Sequence, residues 1–264
     1  MKRYSAITLL LILFLNSCSV KSDAKPSSVE EDLSKKFNHG KELFDKKKYT
    51  RALDDFNEII MNARGSEIAV EARYYQAESF YELKQYNDAI SSYEKFIDYS
   101  SDPKLVEFAM FKMCKSYFRL SSSYSRDQSN NDFAFIKLQI FIDQFPESEY
   151  VKETEELLWK LRLRKARKIY ETGRLYLKLK EYDSAIIYFN DVIENYYDTK
   201  FSDEARISII FYYLLQDKTD VAYSYYNQNS DSFIDVAKKN EAESLLENYN
   251  ESGNWIQNKI RLYK

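Results

Sequence analysis

Glycine, proline, histidine and cysteine are all scarce in this sequence of 264 residues, which contains 4, 3, 1 and 2 of them respectively. The four glycines stand far apart, so no glycine-rich loop is available to bind a phosphate group. One histidine and two cysteines are too few soft ligands for a zinc site. His39 has no nucleophile or second ligand beside it, which favours a satisfied, partly buried histidine over a catalytic one. These shortages predict that the protein is not an enzyme and binds neither a metal nor another cofactor.

Basic residues are not in excess either, because 39 Lys and Arg stand against 42 Asp and Glu and give a formal net charge of −3. Proteins that bind nucleic acid normally carry a basic surplus, so nucleic acid is not an expected partner. What the sequence does contain is 44% hydrophobic residues, with 24 Tyr and 17 Phe. This composition, with so few helix-breaking residues, is typical of a packed and helix-rich fold.

A unit of about 34 residues recurs along the chain, and its clearest copy runs from residue 166 to residue 199. Gly173 and Ala185 are small residues at which two amphipathic helices can approach closely, and the segment from Lys180 to Asp183 interrupts the apolar pattern between them. The unit resembles the tetratricopeptide (TPR) repeat, which predicts an all-α, right-handed solenoid of about five helix pairs. The other copies centre on Gly40 and Ala52, Ala77 and Ala89, Cys114 and Ala134, and Ile210 and Ala222.

The N-terminal residues have the pattern of an exported protein. Lys2 and Arg3 precede the apolar run from Ile7 to Leu15, which is shorter than the ~20 residues of a transmembrane helix and predicts a signal peptide over residues 1–17. Leu15-Asn16-Ser17-Cys18 resembles the bacterial lipobox, which predicts that Cys18 is lipidated and anchors the chain to a membrane. The alternative is an ordinary signal peptide followed by an incidental cysteine.

The rest of the chain divides by its repeats. Residues 18–32 are polar and are expected to form a flexible tether. Repeats 1 to 3 are expected over residues 33–147, and an additional helix with repeats 4 and 5 over residues 148–232. The additional helix either continues into repeat 4 or turns sharply before it. Residues 233–264 are expected to form a capping helix and a tail.

Aromatic residues seven positions apart mark the first helix of each of the first three repeats. Residues seven apart share one helix face, and the first helices of such units line the concave side of the solenoid. This predicts a groove for an extended or helical segment rich in aromatic residues. The alternative is that the rings pack between neighbouring first helices. The candidate groove residues are Phe37, Phe44, Tyr74, Tyr81, Phe111 and Phe118.

A basic run between residues 160 and 168 stands out in this slightly acidic chain. Its functional interpretation is a docking site for an acidic partner domain or an anionic lipid. The alternative is an ordinary solvated helix face. The candidate docking residues are Arg162, Arg164, Lys165, Arg167 and Lys168.

Several strings make the chain similar to the BamD family of outer-membrane assembly lipoproteins, over about residues 37–228. Arg126-Asp127-Gln128 lies in the long turn of repeat 3, and the segment from Phe145 to Tyr150 resembles the family's YPxSxY string. Tyr196-Tyr197-Asp198-Thr199 resembles its YPDT string with Tyr in place of Pro. The family's earlier YP string is missing, and Asn62 to Gly65 occupy its place.

This resemblance implies a lipid-anchored, non-catalytic subunit of the β-barrel assembly machinery at the periplasmic face of the outer membrane. The N-terminal half would bind unfolded outer-membrane proteins, and the C-terminal half would dock the barrel-forming subunit beside its accessory lipoproteins. Ser19, rather than an aspartate, follows Cys18, which by resemblance to other lipoproteins implies sorting to the outer membrane. The alternative function is a periplasmic TPR adaptor of a division or peptidoglycan-synthesis complex. Such adaptors usually carry an N-terminal coiled coil, and no heptad run precedes the repeats here.

Overall fold

The computed structural model describes residues 28–121 and 129–251, and all regular structure in these two ranges is helical. The predicted all-α, TPR-like solenoid of five helix pairs is confirmed. The predicted signal peptide, Cys18, Arg126-Asp127-Gln128 and the C-terminal tail lie outside the described residues. The α-helices are Ser28–Asp45 (α1), Tyr49–Asn62 (α2), Glu67–Glu82 (α3), Tyr86–Tyr99 (α4), Pro103–Leu120 (α5), Ser129–Gln144 (α6), Val151–Lys178 (α7), Tyr182–Asn195 (α8), Lys200–Leu215 (α9), Thr219–Asn229 (α10) and Val236–Glu251 (α11), with a 3-10 turn at Ser230–Ser232.

The first helix begins earlier than the predicted start of repeat 1 at residue 33. Helix α1 starts at Ser28 and carries Glu30 and Glu31 in its first turn. Carboxylates are favourable there because they interact with the positive end of the helix dipole. The last residues of the predicted tether are therefore helical.

Two glycines bring the helices of a pair close together, as their spacing predicted. A Cβ atom placed on Gly173 of α7 would lie 2.8 Å from Cε1 of Phe189 on α8. A Cβ atom on Gly40 of α1 would lie equally close, at 2.8 Å, to Cε1 of Phe56 on α2. Both rings are fully buried, so they can move little to admit a larger residue. The close packing of the two helices in repeats 1 and 4 therefore requires a glycine, because any side chain at this position would collide with a buried ring.

The turn between the helices of a pair has the same backbone structure in four repeats. After α7, the N–H of Glu181 donates to the carbonyl of Tyr176 at 3.0 Å, and the N–H of Lys180 donates to the carbonyl of Leu177 at 3.1 Å. This is a Schellman motif, which requires a left-handed residue and reverses the chain within a few residues. The left-handed residues are Lys47 (φ 58°), Lys84 (61°), Lys180 (63°) and Asp217 (55°).

Helix α7 joins the two halves of the solenoid. It is a single helix of 28 residues, so the additional helix continues into repeat 4 rather than turning before it. Leu157 and Leu161, near its N-terminus, pack into the core formed by α5 and α6. Ala166 and Tyr170, further along, belong to the core of the C-terminal half. One helix is therefore part of both cores.

The last helix, α11, packs against α9 and α10 and covers the final repeat. Its residues Ala242, Leu245 and Leu246 are buried in the core of the C-terminal half. The fully buried carboxylate of Asp203, on α9, accepts hydrogen bonds from the backbone N–H groups of Ile234 and Asp235 at 2.9 to 3.1 Å. These contacts fix the segment that leads into α11.

His39 and Cys114, whose side chains could in principle carry chemistry, each contact another part of the chain. The side chain of His39 is 57% exposed and pairs with Asp55 through Nδ1 at 2.7 Å, so its predicted partial burial is wrong, although it does have the predicted partner. Cys114 is buried, and its thiol donates to the carbonyl of Lys137 at 3.3 Å. Burial raises the pKa of the Cys114 thiol to about 12, which keeps the thiol protonated and unreactive at neutral pH.

Candidate ligand-binding face

The first helices of the repeats line one side of the solenoid. Helix α1 contacts α3, α5 contacts α7, and α7 contacts α9, in addition to the contacts within each pair. We call the side formed by α1, α3, α5, α7 and α9 the inner face. All six candidate groove residues belong to these helices.

The first aromatic residue on each helix belongs to the packing. Phe37 and Phe111 are only 7% and 3% exposed. The ring centroid of Phe37 lies 5.7 Å from that of Tyr75, on α3. The ring of Phe111 stacks on Tyr150, just before α7, at 4.5 Å and 14°. Phe37 and Phe111 therefore pack inside the fold and do not line an open groove.

Tyr74 is the third member of this first row and is half-buried. Its ring centroid lies 5.4 Å from that of Phe96 and 5.3 Å from that of Tyr75. Burial, followed by the nearby carboxylate of Glu78, raises the pKa of the Tyr74 hydroxyl well above its usual range. Tyr74 therefore remains neutral, and its ring mainly packs against neighbouring rings of the fold.

The second aromatic residue on each helix remains partly accessible. Phe44, Tyr81 and Phe118 are all half-buried, and we call these three the second row. Phe44 contacts the ring of Tyr49 edge-on at 5.3 Å, and Tyr81 contacts Tyr86 in the same way at 5.7 Å. Phe44 and Tyr81 are thus each supported by a ring of their own repeat, and Phe44 also contacts Tyr75 of α3 at 5.6 Å, while part of each ring remains accessible.

Cations lie over the rings of the inner face. Nζ of Lys112 is 4.0 Å from the ring centroid of Tyr81, and Cζ of Arg164 is 4.5 Å from that of Phe118. Nζ of Lys41 is 5.1 Å from the ring centroid of Tyr75. These distances are within the range of cation–π attraction. The inner face therefore combines aromatic surface with positive charge.

A buried polar cluster lies between repeats 2 and 3. Glu78 of α3 and Lys112 of α5 form an ion pair at 3.0 Å, and their side chains are only 11% and 12% exposed. The hydroxyl of Tyr93 donates a hydrogen bond to Glu78. Burial and the charge of Glu78 raise the pKa of Tyr93 well above its usual value, so it stays protonated and can donate. This cluster holds Lys112 in place beneath the second row.

Polar contacts within the chain hold Arg162, Arg164 and Lys165 of the candidate docking residues. Arg162 contacts Asp198 through two nitrogens at 2.8 to 3.1 Å and also donates to the carbonyl of Asn195 at 2.7 Å. The hydrogen bond from Arg162 holds the pKa of the Asp198 carboxyl below its usual value. The remaining contacts are those of Arg164 with the hydroxyl of Ser121 at 2.6 Å and of Lys165 with Asp132 at 2.8 Å. This part of the basic run ties α7 to neighbouring segments.

Arg167 and Lys168 continue the run toward the C-terminal half, and Arg167 is exposed. Arg167 lines a cleft of about 390 Å³ between α7 and α9. The cleft carries three cations and two carboxylates, so its surface is strongly polar. The residues of this cleft are Arg167, Tyr170, Glu171, Arg174, Lys200, Phe201 and Glu204.

Sequence reasoning missed the cations that accompany the rings, although a signal was present. Phe37 and Lys41, Phe111 and Lys115, and Tyr170 and Arg174 are pairs four residues apart at the same place in repeats 1, 3 and 4. Positions four apart are neighbours on a helix surface, and all three cations lie 5.0 to 5.8 Å from their ring centroids. The same place in repeat 2 is occupied by Glu78, which masks the pattern.

A row of helix pairs whose first helices form an inner face of rings and cations defines a helical-repeat protein. No helix within residues 28–121 and 129–251 combines the length and apolar character that crossing a bilayer requires. Residues 30–225 match the family YfiO, which is described as an outer membrane lipoprotein. The chain belongs to this family, and the predicted resemblance to the BamD lipoproteins is confirmed.

Two relatives carry the name "Outer membrane protein assembly factor BamD". The relative from Rickettsia prowazekii (strain Madrid E) is 28% identical over 251 residues, which cover 94% of this chain and 99% of the relative. The relative from Caulobacter vibrioides is 26% identical over 215 residues, which cover 79% of this chain and 70% of the relative. A solved TPR domain of P58(IPK) aligns with 86% of this chain and 61% of its own length, at 15% identity and a TM-score of 0.43.

Proposed function

We propose that this protein is a lipid-anchored, non-catalytic component of outer-membrane protein assembly. Its inner face binds unfolded outer-membrane proteins, and its C-terminal half docks the barrel-forming subunit. Membership of an outer membrane lipoprotein family and the names of two relatives support a role in outer-membrane protein assembly. The observation that carries substrate binding is the second row, Phe44, Tyr81 and Phe118, whose half-buried rings contact neighbouring side chains and remain partly accessible.

The chemistry of the substrate suits such a row. Strands of outer-membrane barrels alternate apolar and polar residues and carry girdles of aromatic residues. An unfolded strand held extended therefore presents apolar side chains on one side, which can pack on rings that recur from one repeat to the next. The polar side chains on the other side of the segment remain hydrated.

The proposal predicts that Tyr81→Ala weakens binding of a peptide taken from an outer-membrane strand by about tenfold, because truncating an interface ring removes roughly 1 to 3 kcal/mol. Phe118→Ala should have a similar effect. The measurement is fluorescence anisotropy of a labelled strand peptide titrated with each purified variant.

The matched control is Tyr99→Ala. Tyr99 is the last residue of α4, a second helix, and it is 64% exposed, so its loss should change neither binding nor stability appreciably. Equal affinities for the wild type, Tyr81→Ala and Tyr99→Ala, with all three folded by circular dichroism, would show that the second row only packs.

Docking of the barrel-forming subunit is proposed for the end of the basic run that faces the cleft between α7 and α9. We expect the double change Arg167→Glu and Lys168→Glu to reduce recovery of the barrel-forming subunit several-fold when the tagged protein is purified from membranes, since charge reversal at a complementary interface is costly. Arg162→Glu is a poor choice for this experiment, because it would place two carboxylates side by side at Asp198. Lys95→Glu, at an exposed position of α4, serves as the control, and undiminished recovery from the Arg167 and Lys168 variant would exclude this docking site.

The lipid anchor is proposed at Cys18, which lies outside the described residues. Cys18→Ala should abolish incorporation of labelled palmitate and leave an uncleaved or mislocalised precursor, because position 18 then has no thiol to carry an acyl chain. The measurement is metabolic labelling followed by cell fractionation, with Cys114→Ala as the cysteine control. Labelling that persists in Cys18→Ala would exclude the anchor.

A further inference from the structure

The cations of the inner face differ in whether a carboxylate balances them. Lys112 pairs with Glu78 at 3.0 Å, Lys115 with Glu153 at 2.8 Å and Arg174 with Glu171 at 3.1 Å. In the part of the chain that the structure describes, Lys41 and Arg164 form no ion pair. The positive charge of these two residues is therefore available to a ligand.

Lys41 lies on α1 between the two candidate groove residues of its helix. Its ammonium is 5.6 Å from the ring centroid of Phe37 and 5.1 Å from that of Tyr75. Residues 37, 41 and 44 fall on one face of a helix, so the cation is directed to the same side as Phe44. Its charge is thus displayed at the N-terminal end of the second row.

Arg164 occupies the other end of the same row. Its guanidinium lies 4.5 Å from the ring centroid of Phe118, and its nearest polar partner is the neutral hydroxyl of Ser121 at 2.6 Å. Arg164 is half-buried, and this burial lowers the pKa of its guanidinium because water is partly removed from the charge. A carboxylate from a ligand would offset that loss of hydration.

We infer that the inner face selects extended polypeptide segments in which acidic residues flank aromatic ones, with Lys41 and Arg164 binding the two carboxylates. This inference rests on the proposed binding of an extended segment to the second row. From α1 to α7 there are three steps between neighbouring first helices, which at 8–10 Å each separate the cations by roughly 25 to 30 Å. An extended chain advances about 3.3 Å per residue, so the two acidic residues should stand about eight positions apart.

The test compares two labelled peptides that share aromatic residues and differ only in two end positions, which are Asp in one peptide and Asn in the other. At low salt the Asp peptide should bind about tenfold more tightly, and added salt should reduce that advantage because it screens charges. Lys41→Gln and Arg164→Gln should each reduce the advantage from about tenfold to about threefold, because each variant keeps one of the two cations, and should change the affinity for the Asn peptide much less.

Lys36→Gln is the matched control, because Lys36 also lies on α1 but pairs with Glu58 of α2, away from the inner face. Equal affinities for the Asp and Asn peptides would overturn the inference, and the proposed second-row binding would survive if Tyr81→Ala still weakened both. Failure of both peptides to bind the folded protein would overturn the inference and the proposed function together.

Discussion

Asp203→Ala should lower the free energy of unfolding by about 3 to 5 kcal/mol, the usual result of removing one partner from a buried ion pair. Asp203 is fully buried and pairs with Arg206 at 3.3 Å, and Arg206 is itself buried. The change would leave that guanidinium uncompensated and would also orphan the N–H groups of Ile234 and Asp235. Urea denaturation measures the loss, and hydrogen exchange should show that α11 loses protection first.

Two further variants test whether the loss of stability comes from leaving the charge of Arg206 buried without a partner. Glu204→Ala removes the adjacent carboxylate, which pairs with Lys238 at 2.7 Å near the surface, and should cost less than about 1 kcal/mol. Asp203→Ala combined with Arg206→Met should recover part of the loss, because no unpaired charge remains buried. A loss below about 1 kcal/mol for Asp203→Ala alone would mean that α11 is held by its apolar contacts.

Glu78→Ala should lower the free energy of unfolding by about 3 kcal/mol, for the same physical reason at the other end of the molecule. Without Glu78, the largely buried ammonium of Lys112 would lose its paired carboxylate and would lie 4.0 Å from the ring centroid of Tyr81 and 5.9 Å from that of Phe108. The hydroxyl of Tyr93 would lose its acceptor as well. Thermal and urea denaturation of the purified variant measure the effect.

The surface pair of Lys115 and Glu153 provides the matched control, since Glu153 is half exposed and Glu153→Ala should cost less than about 1 kcal/mol. Replacing Glu78 by Leu and Lys112 by Met together should restore most of the stability. If the double variant remains as unstable as Glu78→Ala, the lost hydrogen bond from Tyr93 to Glu78, rather than the unpaired charge of Lys112, determines the loss.

The sequence predicts the helix pairs well because their determinants are local. Gly40 and Gly173 lie where the repeat spacing requires small residues, and the chain reverses at Lys180 as the break in apolar periodicity indicated. What the sequence does not reveal is the difference between the two aromatic rows. Phe111 is covered by Tyr150, which is 39 positions away in the chain and reaches it only through the fold.

The sequence likewise does not reveal which residues of the basic run have acidic partners within the chain. Its residues look alike in the sequence, and their roles depend on partners contributed by other repeats, such as Asp198 for Arg162 and Asp132 for Lys165. Periodicity gives the face of a helix on which a residue lies, but it does not say what stands opposite that face. The candidate groove could therefore be assigned to a side of the solenoid, whereas its exposed rings and unbalanced cations required coordinates.

Because α7 belongs to both cores, the protein cannot be cut into two self-sufficient parts at the border between repeats 3 and 4. A helix of 28 residues is about 42 Å long, and a break anywhere along it would expose either Leu157 and Leu161 or Ala166 and Tyr170 to water.

Engineers who wish to insert a reporter or divide the gene should choose the surface turn at residues 100–102 between α4 and α5. In cells, proteolytic nicking within α7 would inactivate both halves at once, so the chain is expected to persist or be degraded as one piece.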